Sequence, residues 1–539
     1  MTEIVGAVLL DTRSIQKYVF YSNKLKTNIG ASYLVENVFT DAAVLAIEEC
    51  GFANPVTKWK DSCELAMVKE KSVDCEIANI GGGNMLILVR AENIQEKCRE
   101  LVRKWSEKVL LMAPGLKTGA AVGYLSLSSD NEEFKKSLDE LYKQLKENQN
   151  NIMPVTDLPY TGLTLECDFC GKTADAQDSI DGVPRMIAAE VKAKIKAYKY
   201  ASDNLRRQYG DILGNEYEFC NEFENLGYKE GESYISVIHI DGNNMGVKFS
   251  MCSSLQERKA LSLKIAQAVQ KAFRRMLTGV VKEYEDGKYN DYLETKKLYD
   301  KKTGVKYLPL RPIIIGGDDV TFVCPARLGI EYARRFIKYA NEEMVFDINF
   351  KTDAVMKKTL SCCGGVAIVP AKYPFFRAYD LAEQLCAAAK KKSRQNDDCL
   401  IDYAILHGEL SSSLAWIRKN QYQADCGSLY FGPYDVVNAG SAKYIGKLYE
   451  LQQILQKTLA ANKFKELRSV LHETEHAQTI FLENTSEMYD VIKKQSGKTE
   501  VKAKDLWVNN KDEKNIKETP YIDAIEITDF VIPGIGMED

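Results

Sequence analysis

The order of parts in the first third of the sequence recurs in its middle, and this repeat constrains the fold more than any other feature. In each copy an apolar run ends at an aspartate, Asp11 in the first copy and Asp241 in the second. A glycine pair between two further apolar runs follows, beginning at Gly81 and Gly316, 70 and 75 residues after the aspartates. An order and spacing that recur this closely indicate two copies of one fold.

The periodicity within each copy predicts strands and helices. Apolar runs bounded by turn residues predict buried strands. Between the first strand and the glycine pair of the second copy, Leu261, Ile265, Val269 and Phe273 recur at helical spacing. Strand, helix and hairpin in that order predict a sheet with helices packed on one side, the ferredoxin-like plan of palm domains.

We therefore predict an α+β protein with two ferredoxin-like palm domains of the nucleotidyl cyclase type. A small cysteine-containing linker module separates them, and a mainly helical C-terminal domain follows. The predicted bounds are 1–150 for a non-catalytic first palm, 151–230 for the linker module, 231–410 for the second palm and 411–539 for the C-terminal domain. The final segment, around Ile522 to Ile532, is predicted to form one or two short strands.

Composition limits the classes of partner. Lys and Arg number 72 against 76 Asp and Glu, a formal net charge of −4, so the chain as a whole is not an electrostatic nucleic-acid binder. The apolar run near the N-terminus is too short to cross a membrane, and we expect no membrane partner. Several of the 14 cysteines lie inside apolar runs, which indicates reduced, buried thiols and a cytoplasmic location.

Asp241, Asp318 and Asp319 are the candidate catalytic and metal-binding residues. A Gly-Gly-Asp-Asp sequence alone is typical of any tight β-turn. Here it joins two predicted strands, which places Asp318 and Asp319 at a hairpin tip that faces the end of the strand carrying Asp241. Because carboxylates at one point repel one another, they predict a site for Mg²⁺ or Mn²⁺. Two such ions can activate a hydroxyl group and stabilise a leaving pyrophosphate.

The surrounding residues predict a nucleotide-binding site. The candidate nucleotide-binding residues are Gly242, Asn243, Asn244, Gly316, Gly317 and Lys390. The glycines let the backbone approach phosphates, and the turn after Asp241 offers N–H groups to them, with the two amides for a sugar or base. Lys390 is either a ligand of triphosphate oxygens or part of a solvated helix end.

Two further motifs suggest zinc. Cys167 and Cys170 form a single C-x-x-C pair and are candidate zinc ligands, with no second pair nearby. His472 and His476, with Glu473, satisfy the bare H-E-x-x-H pattern. Because no third ligand is evident, this segment is either a surface helix or a zinc site.

Several motifs resemble a known family. H-I-D-G-N-N-M-G at 239–246, I-I-G-G-D-D-V-T-F-V at 314–323 and A-E-Q-L-C-A-A-A-K-K-K at 382–392 resemble the second palm domain of the large subunit of type III CRISPR effector complexes. The resemblance is to a Cmr-like subunit, and we expect no HD nuclease domain. The segment 11–26 resembles the first palm domain of that subunit, and the motifs are more distantly similar to GGDEF diguanylate cyclases.

The resemblance implies conversion of ATP to cyclic or linear oligoadenylate second messengers in antiviral defence, by attack of a ribose hydroxyl on an α-phosphate. It implies that Asp241, Asp318 and Asp319 hold metal ions and that Lys390 binds phosphates. The first copy has Gly83 and Asn84 in place of the hairpin aspartates, so it is expected to bind a second nucleotide without catalysis.

The expected partners are ATP, guide and target RNA, other subunits of an effector complex and, as a further candidate, a second copy of the chain. Two alternatives remain open from the sequence: a non-catalytic scaffold of an RNA-guided complex, and a GGDEF-like diguanylate cyclase. One departure from the family pattern is His239, which stands where an acidic residue is usual.

Overall fold

The first copy of the repeat forms a five-stranded sheet. The computed structural model describes residues 4–535 apart from 23, 128–130, 152–161, 181, 230, 232, 302, 345–358, 395, 409–412 and 511–515. The elements of this first palm are β1 (Ile4–Arg13), α1 (Ile15–Phe20), α2 (Leu25–Asn37), α3 (Asp41–Glu49), β2 (Pro55–Val56), α4 (Ala66–Lys69), β3 (Cys75–Gly81), β4 (Asn84–Val89), α5 (Ile94–Met112), β5 (Lys117–Ser126) and α6 (Asn131–Asn150). The strand order is β2-β3-β4-β1-β5.

A linker module connects the two copies. Its elements are the hairpin β6 (Ala176–Ile180) and β7 (Val183–Ile187), the long helix α7 (Ala189–Leu213) and the short strand β8 (Tyr217–Phe219). Helix α7 packs along α2 of the first palm, where the Lys194 carbonyl fills the space beside Gly30.

The second copy forms a six-stranded sheet. The elements of this second palm are β9 (Tyr234–Gly242), α8 (Met245–Ser250), α9 (Leu255–Glu285), β10 (Lys306–Leu308), β11 (Arg311–Gly316), β12 (Asp319–Pro325), α10 (Ala326–Glu343), β13 (Cys362–Pro370), α11 (Phe375–Ser393) and β14 (Leu400–Ile405). Strand β10 pairs with β8 outside the main sheet. The order β11-β12-β9-β13 is that of a ferredoxin-like sheet and repeats the order β3-β4-β1-β5 of the first palm.

The remaining elements form the mainly helical C-terminal part. They are α12 (Leu414–Gln421), β15 (Gln423–Ala424), β16 (Gly427–Ser428), β17 (Tyr434–Asp435), α13 (Ile445–Thr458), α14 (Ala461–Val470), α15 (Glu475–Glu483), α16 (Ser486–Ser496), β18 (Val508–Asn509), β19 (Lys517–Glu518) and α17 (Tyr521–Glu526). Strand β17 pairs with β14 and forms the last strand of the second-palm sheet. No helix in the described ranges is long and apolar enough to cross a membrane.

The strand register confirms that the two palms are copies of one fold. In the first hairpin Gly81 pairs with Asn84, and in the second Gly316 pairs with Asp319. Each hairpin also has an irregular register at the same place in its first strand. It lies between Ile77 and Asn79 in the first hairpin and between Pro312 and Ile314 in the second, and in both it begins four residues before the glycine that ends the strand. The shared position of this irregularity supports the equivalence of the two hairpins, because a bulge bends and twists its strand at a defined place.

Helices cover both faces of each sheet, so the prediction of helices on one side was wrong. On β1, Val5, Ala7 and Leu9 pack with α6, whereas Val8 and Leu10 pack in a separate core with α5. On β9, Ile238 and Ile240 share a core with α9 and α10, while Val237 faces α11. The strands are continuous apolar runs rather than alternating ones, which is the pattern of strands buried on both faces.

Helix α9 follows the sequence prediction. The side chains of Leu261, Ile265, Val269 and Phe273 are all buried. The helix begins after Ser254, whose hydroxyl accepts a hydrogen bond from the backbone of Glu257, while the Glu257 carboxylate accepts one from the backbone of Ser253. These two hydrogen bonds satisfy two backbone donors at the helix start.

Two sequence predictions for the C-terminal part were wrong. The segment predicted as a strand instead forms α17 and a 3₁₀ turn over Ile527–Phe530. Its side chains Ile522, Ala524 and Ile525 are buried in the hydrophobic core as parts of a helix. His472 and His476 do not share a helix, since α14 ends at Val470 and α15 begins at Glu475. The Thr474 side chain caps the start of α15.

Candidate active site at the palm hairpin

The end of β9 and the tip of the β11–β12 hairpin bring two of the predicted aspartates together. Asp241 is the penultimate residue of β9, and Asp318 lies in the turn between β11 and β12. A Cβ at Gly242 would lie 3.0 Å from Oδ2 of Asp318 and 2.9 Å from its Cβ. Gly242 therefore lets the hairpin tip close directly onto the end of the strand that carries Asp241.

The two carboxylates repel each other. Burial and then the negative charge of Asp241 raise the pKa of Asp318 from 3.8 to about 7, with Asp319 adding to the increase. Lys390 acts in the opposite direction. A carboxyl group with such a pKa is at a site where a cation would be favourable, because a positive charge favours the ionised form.

Lys390 provides a positive charge at this point. Helix α11 carries it to the end of β9, where its ammonium group donates hydrogen bonds to Oδ2 of Asp241 and, at 2.8 Å, to the carbonyl oxygen of Gly242. Burial lowers the pKa of Lys390, but the interaction with Asp241 exceeds this effect and the pKa is raised overall. Lys390 is therefore partly buried and paired with Asp241, and its role as a ligand of triphosphate oxygens stays a prediction.

A buried polar network fixes the turn after Asp241. The Asn243 amide donates to the Ser393 hydroxyl (2.9 Å) and to a backbone carbonyl (3.0 Å), and the Asn244 amide donates to Asp397 (3.0 Å). Lys248 is fully buried and donates to the backbone carbonyl of Asn243 (3.0 Å). Both amide nitrogens are thus used within the protein, and the assignment of the two asparagines as nucleotide contacts stays a prediction.

Asp319 is oriented differently from the other two aspartates. Its Oδ1 lies 3.4 Å from Nδ1 of His239, which is buried two residues before Asp241 on β9. Burial lowers the pKa of His239, but its interactions with Asp319 and Asp241 raise it further, so that it lies above its ordinary value.

A pocket of about 340 Å³ opens at this place. It is lined by Asp241, Asp318, Lys390, Arg394 and the turn 242–246. In the ranges that the structure describes, no group of three His, Cys, Asp or Glu side chains is arranged to hold a metal ion. Two adjacent carboxylates nevertheless fit Mg²⁺ or Mn²⁺, because Mg²⁺ is commonly bound by one or two carboxylates together with substrate phosphates.

The first palm keeps a counterpart of this site without the hairpin carboxylates. Asp11 accepts a hydrogen bond at 2.6 Å from Gln149 of α6, which corresponds to the pairing of Asp241 with Lys390 of α11. The residue before the following helix has a left-handed backbone in both copies, with φ of 54° at Ser14 and 55° at Asn244. The register places Gly83 and Asn84 where the second palm has Asp318 and Asp319.

The tips of the two hairpins face each other. A Cβ at Gly317, whose φ is +59°, would lie 4.0 Å from the backbone nitrogen of Gly82. On the same side, a Cβ at Gly81 would lie 3.3 Å from the hydroxyl of Ser262 on α9 of the second palm. Gly317, which was predicted to let a ligand approach the backbone, therefore also lets the two palms come close together.

The cysteine pair provides only part of a zinc site. Cys167 and Cys170 are buried at a turn, where the backbone of Gly171 donates to the Cys167 carbonyl. A structural zinc ion usually takes four protein ligands. Across the described residues no third His, Cys, Asp or Glu joins either this pair or His472 and His476, so neither motif fits zinc by itself.

Sequence reasoning missed several residues that shape the site. It noted His239 only as a departure from a pattern and did not identify Gln149, Lys248 or Asp397. A signal existed for Gln149, because the repeat places α6 after β5 in the first copy and α11 after β13 in the second, and Lys390 of α11 was already a candidate. Nothing local indicated Lys248 or Asp397, which are 149 residues apart in the chain and meet in the interior, 3.6 Å between Nζ and Oδ2.

Comparison with known proteins agrees with the resemblance inferred from the motifs. Residues 234–399 match the family model described as Cas10/Cmr2, second palm domain. This confirms the resemblance of the second palm to the large palm-domain subunit of type III complexes. No curated protein matches the sequence.

Several solved structures to which this chain is similar contain Csm1. The Csm1–Csm4 cassette in complex with cA4 is 13% identical over 84% of this chain and 62% of that chain, with a TM-score of 0.41. The apo Csm1–Csm4 cassette is 12% identical over 97% and 70%, with a TM-score of 0.46. Csm1 from T. onnurineus is 13% identical over 85% and 62%, with a TM-score of 0.41. The chain thus spans about 62% of the length of the first of these.

Proposed function

We propose that this protein is a nucleotidyltransferase that converts ATP to cyclic or linear oligoadenylates at the second palm. The observation that carries the proposal is that Asp241 and Asp318 lie close together in the lining of a pocket of about 340 Å³. The match of residues 234–399 to a palm-domain family supports it. The choice of ATP follows the sequence resemblance.

The protein residues have separate roles in this proposal. Asp241 and Asp318 would hold Mg²⁺ or Mn²⁺, with Asp319 as a further ligand. When bound, such ions neutralise the carboxylates, activate the attacking ribose hydroxyl and stabilise the leaving pyrophosphate. Lys390, whose ammonium group lies beside Asp241 in the pocket, would bind phosphate oxygens.

Arg394 extends the positive charge along the pocket. It follows Lys390 by one helical turn and lines the same pocket as the two aspartates. Guanidinium groups bind phosphate through two parallel hydrogen bonds, so Arg394 is suited to the outer phosphates of a triphosphate. The glycines at 316 and 317 leave the backbone of the hairpin accessible to the same ligand.

The first palm would bind a second nucleotide without catalysis. Its hairpin carries Gly83 and Asn84 where the catalytic hairpin carries Asp318 and Asp319, so it has no carboxylates there for a metal ion. Its tip lies against Gly317, which would bring the acceptor nucleotide close to the catalytic pocket. Bringing two reactants together in this way converts a bimolecular reaction into an effectively unimolecular one.

We further propose that the protein acts in the cytoplasm, in antiviral defence, with guide and target RNA and other effector-complex subunits as partners. The family match at the second palm supports this assignment. A homodimer stays a candidate. Two alternatives are weaker. A scaffold has no need for clustered carboxylates at a place where burial and the charge of Asp241 raise the pKa of Asp318. A diguanylate cyclase does not need the duplicated palm.

Incubation of the protein with Mg²⁺ or Mn²⁺ and each nucleoside triphosphate, followed by mass analysis of the products, tests the proposal. We expect adenosine-containing oligonucleotides, and ATP should be consumed in preference to GTP when both are present. A guanine-containing main product would favour the diguanylate cyclase. The absence of any product, with the target-RNA-bound complex also inactive, would favour the scaffold.

A further inference from the structure

His239 is buried directly behind the hairpin carboxylate Asp319. Its side chain is on the same face of β9 as that of Asp241, because the two residues are two positions apart and side chains alternate along a strand. Three oxygen atoms surround its Nδ1: Oγ1 of Thr321 at 3.3 Å, Oδ1 of Asp319 at 3.4 Å and the hydroxyl of Tyr379 at 3.5 Å.

The three neighbours decide which nitrogen carries the proton. The hydroxyl groups of Thr321 and Tyr379 can donate or accept a hydrogen bond, whereas a carboxylate can only accept. Nδ1 beside Asp319 is therefore the protonated nitrogen.

Oδ1 of Asp319 depends on this imidazole. The atom is buried and has no hydrogen-bond partner within the described residues, and Nδ1 of His239 lies 3.4 Å from it. The Asp319 side chain as a whole is 36% exposed, so the exposed area belongs to Oδ2 and the carbon atoms. A carboxylate held at one oxygen by a buried donor presents the other oxygen in a fixed direction.

The imidazole itself is held by both palms. The ring of Tyr379 on α11 lies edge-on to His239, with centroids 5.5 Å apart. On its other side Tyr379 stacks on Phe20 of α1, at 3.7 Å between centroids. The chain of contacts therefore runs from the first palm through Tyr379 and His239 to the hairpin of the second palm.

We propose that His239 is a positioning residue that orients Asp319 for metal binding through Nδ1–H, with its own position set by Tyr379 and Phe20. The proposal rests on the proposed function in one respect, the assignment of Asp319 as a metal ligand. Hydrogen bonds to metal-binding groups are known to matter in this way, since their loss typically costs about 10- to 100-fold in metal affinity or activity.

The test compares His239→Asn with His239→Gln. The side-chain amide of Asn places its nitrogen where Nδ1 lies, whereas the amide of Gln reaches toward Nε2. Binding of Mn²⁺ alone, measured by electron paramagnetic resonance of the free ion without nucleotide, reports the metal site independently of any product. His407→Gln, on the exposed His407, is the matched control.

We expect His239→Gln to weaken Mn²⁺ binding by about tenfold or more and to lower kcat with an unchanged KM for ATP, whereas His239→Asn and His407→Gln stay within about threefold of the wild type. Equal Mn²⁺ affinity in the Asn, Gln and wild-type proteins would overturn the proposal, even if thermal stability fell. If Mn²⁺ binding responds as expected while no nucleotide product forms, the positioning role holds and the proposed activity fails.

Discussion

Gly82 and Gly317, at the tips of two equivalent hairpins, face each other across the contact between the palms, and a Cβ at Gly317 would lie 4.0 Å from the backbone nitrogen of Gly82. Both residues have positive φ, +60° and +59°, so glycine is favoured on conformational grounds as well as for the close approach. The duplicated fold thus places a hairpin with carboxylates opposite one without them.

Replacing Asp318 by Asn should remove activity without loss of stability. The variant keeps the size of the side chain but loses a metal-binding charge, and we expect the rate of product formation to fall by about 100-fold or more. Product formation under saturating Mg²⁺ or Mn²⁺ is the measurement. Asp203→Asn, on the exposed side of α7, is the control, and an active Asp318→Asn variant would contradict the proposed site.

The same substitution should change how stability depends on pH. The pKa of Asp318 is about 7 in the folded protein and 3.8 as the ordinary value. Between these values the folded state binds a proton that the unfolded state lacks, so stability falls as pH rises. An asparagine at 318 binds no such proton, so the stability of Asp318→Asn does not fall for this reason. The difference between its free energy of unfolding and that of the wild type should therefore increase from about pH 4 to about pH 7. Urea denaturation of both proteins at several pH values in EDTA measures this difference. A difference that stays constant with pH would contradict the raised pKa of Asp318.

Lys390→Ala should impair the reaction more than Lys391→Ala. Lys390 bonds to Asp241 and to the Gly242 carbonyl inside the pocket, while Lys391 is exposed on the same helix. We expect a loss of about 100-fold in kcat/KM for ATP on removal of Lys390. Steady-state kinetics of both variants checks this. Similar activity of the two would mean that the ammonium group of Lys390 does not contact phosphate.

Gly242→Ala should displace the hairpin tip. The new methyl group would meet Oδ2 of Asp318 at 3.0 Å and the terminal carbon of Met245 at 2.5 Å. A shift of catalytic groups by about 1 Å can reduce the rate about 100-fold, so we expect a loss of about 10- to 100-fold with little change in fold. Gly210→Ala on α7, where nothing lies within 4 Å of a Cβ, is the control and should retain full activity.

Lys259→Met should destabilise the contact between the palms. Lys259 of α9 is buried and pairs at 3.1 Å with Glu76 of β3, whose carboxylate also accepts from the backbone of Ala66 and Met67. Leaving one member of a buried ion pair without its partner costs about 3–5 kcal/mol. Chemical denaturation of this variant should show that loss.

Two comparisons test the cause. Lys306→Met breaks an exposed pair with Glu216 and should cost at most about 1 kcal/mol. Adding Glu76→Gln to Lys259→Met removes the uncompensated charge and should recover part of the stability. If the double variant loses as much stability as the two single variants together, packing rather than charge holds the two palms together at this place.

Much of the second palm could be predicted from local sequence. The strand ending at Asp241 and the hairpin bearing Asp318 follow from apolar runs and turn residues, which depend on near neighbours in the chain. The same local signals led to the wrong prediction for Ile522–Ile532, since isoleucine-rich sequence fits a strand or a buried helix equally. Helices on both faces of the sheets were also missed, although continuous apolar strands indicate them.

The sequence by itself determined that two copies of one palm fold exist and that only the second carries carboxylates at its hairpin tip, because both facts lie in short motifs at matching spacing. Only the tertiary structure decided how the side chains are used: Lys390 on Asp241, Asp319 on His239, and the two asparagines in a buried network. These pairings join residues 80 to more than 150 positions apart. Their geometry depends on how α11 and the two sheets pack, and packing is a property of the whole chain rather than of any segment.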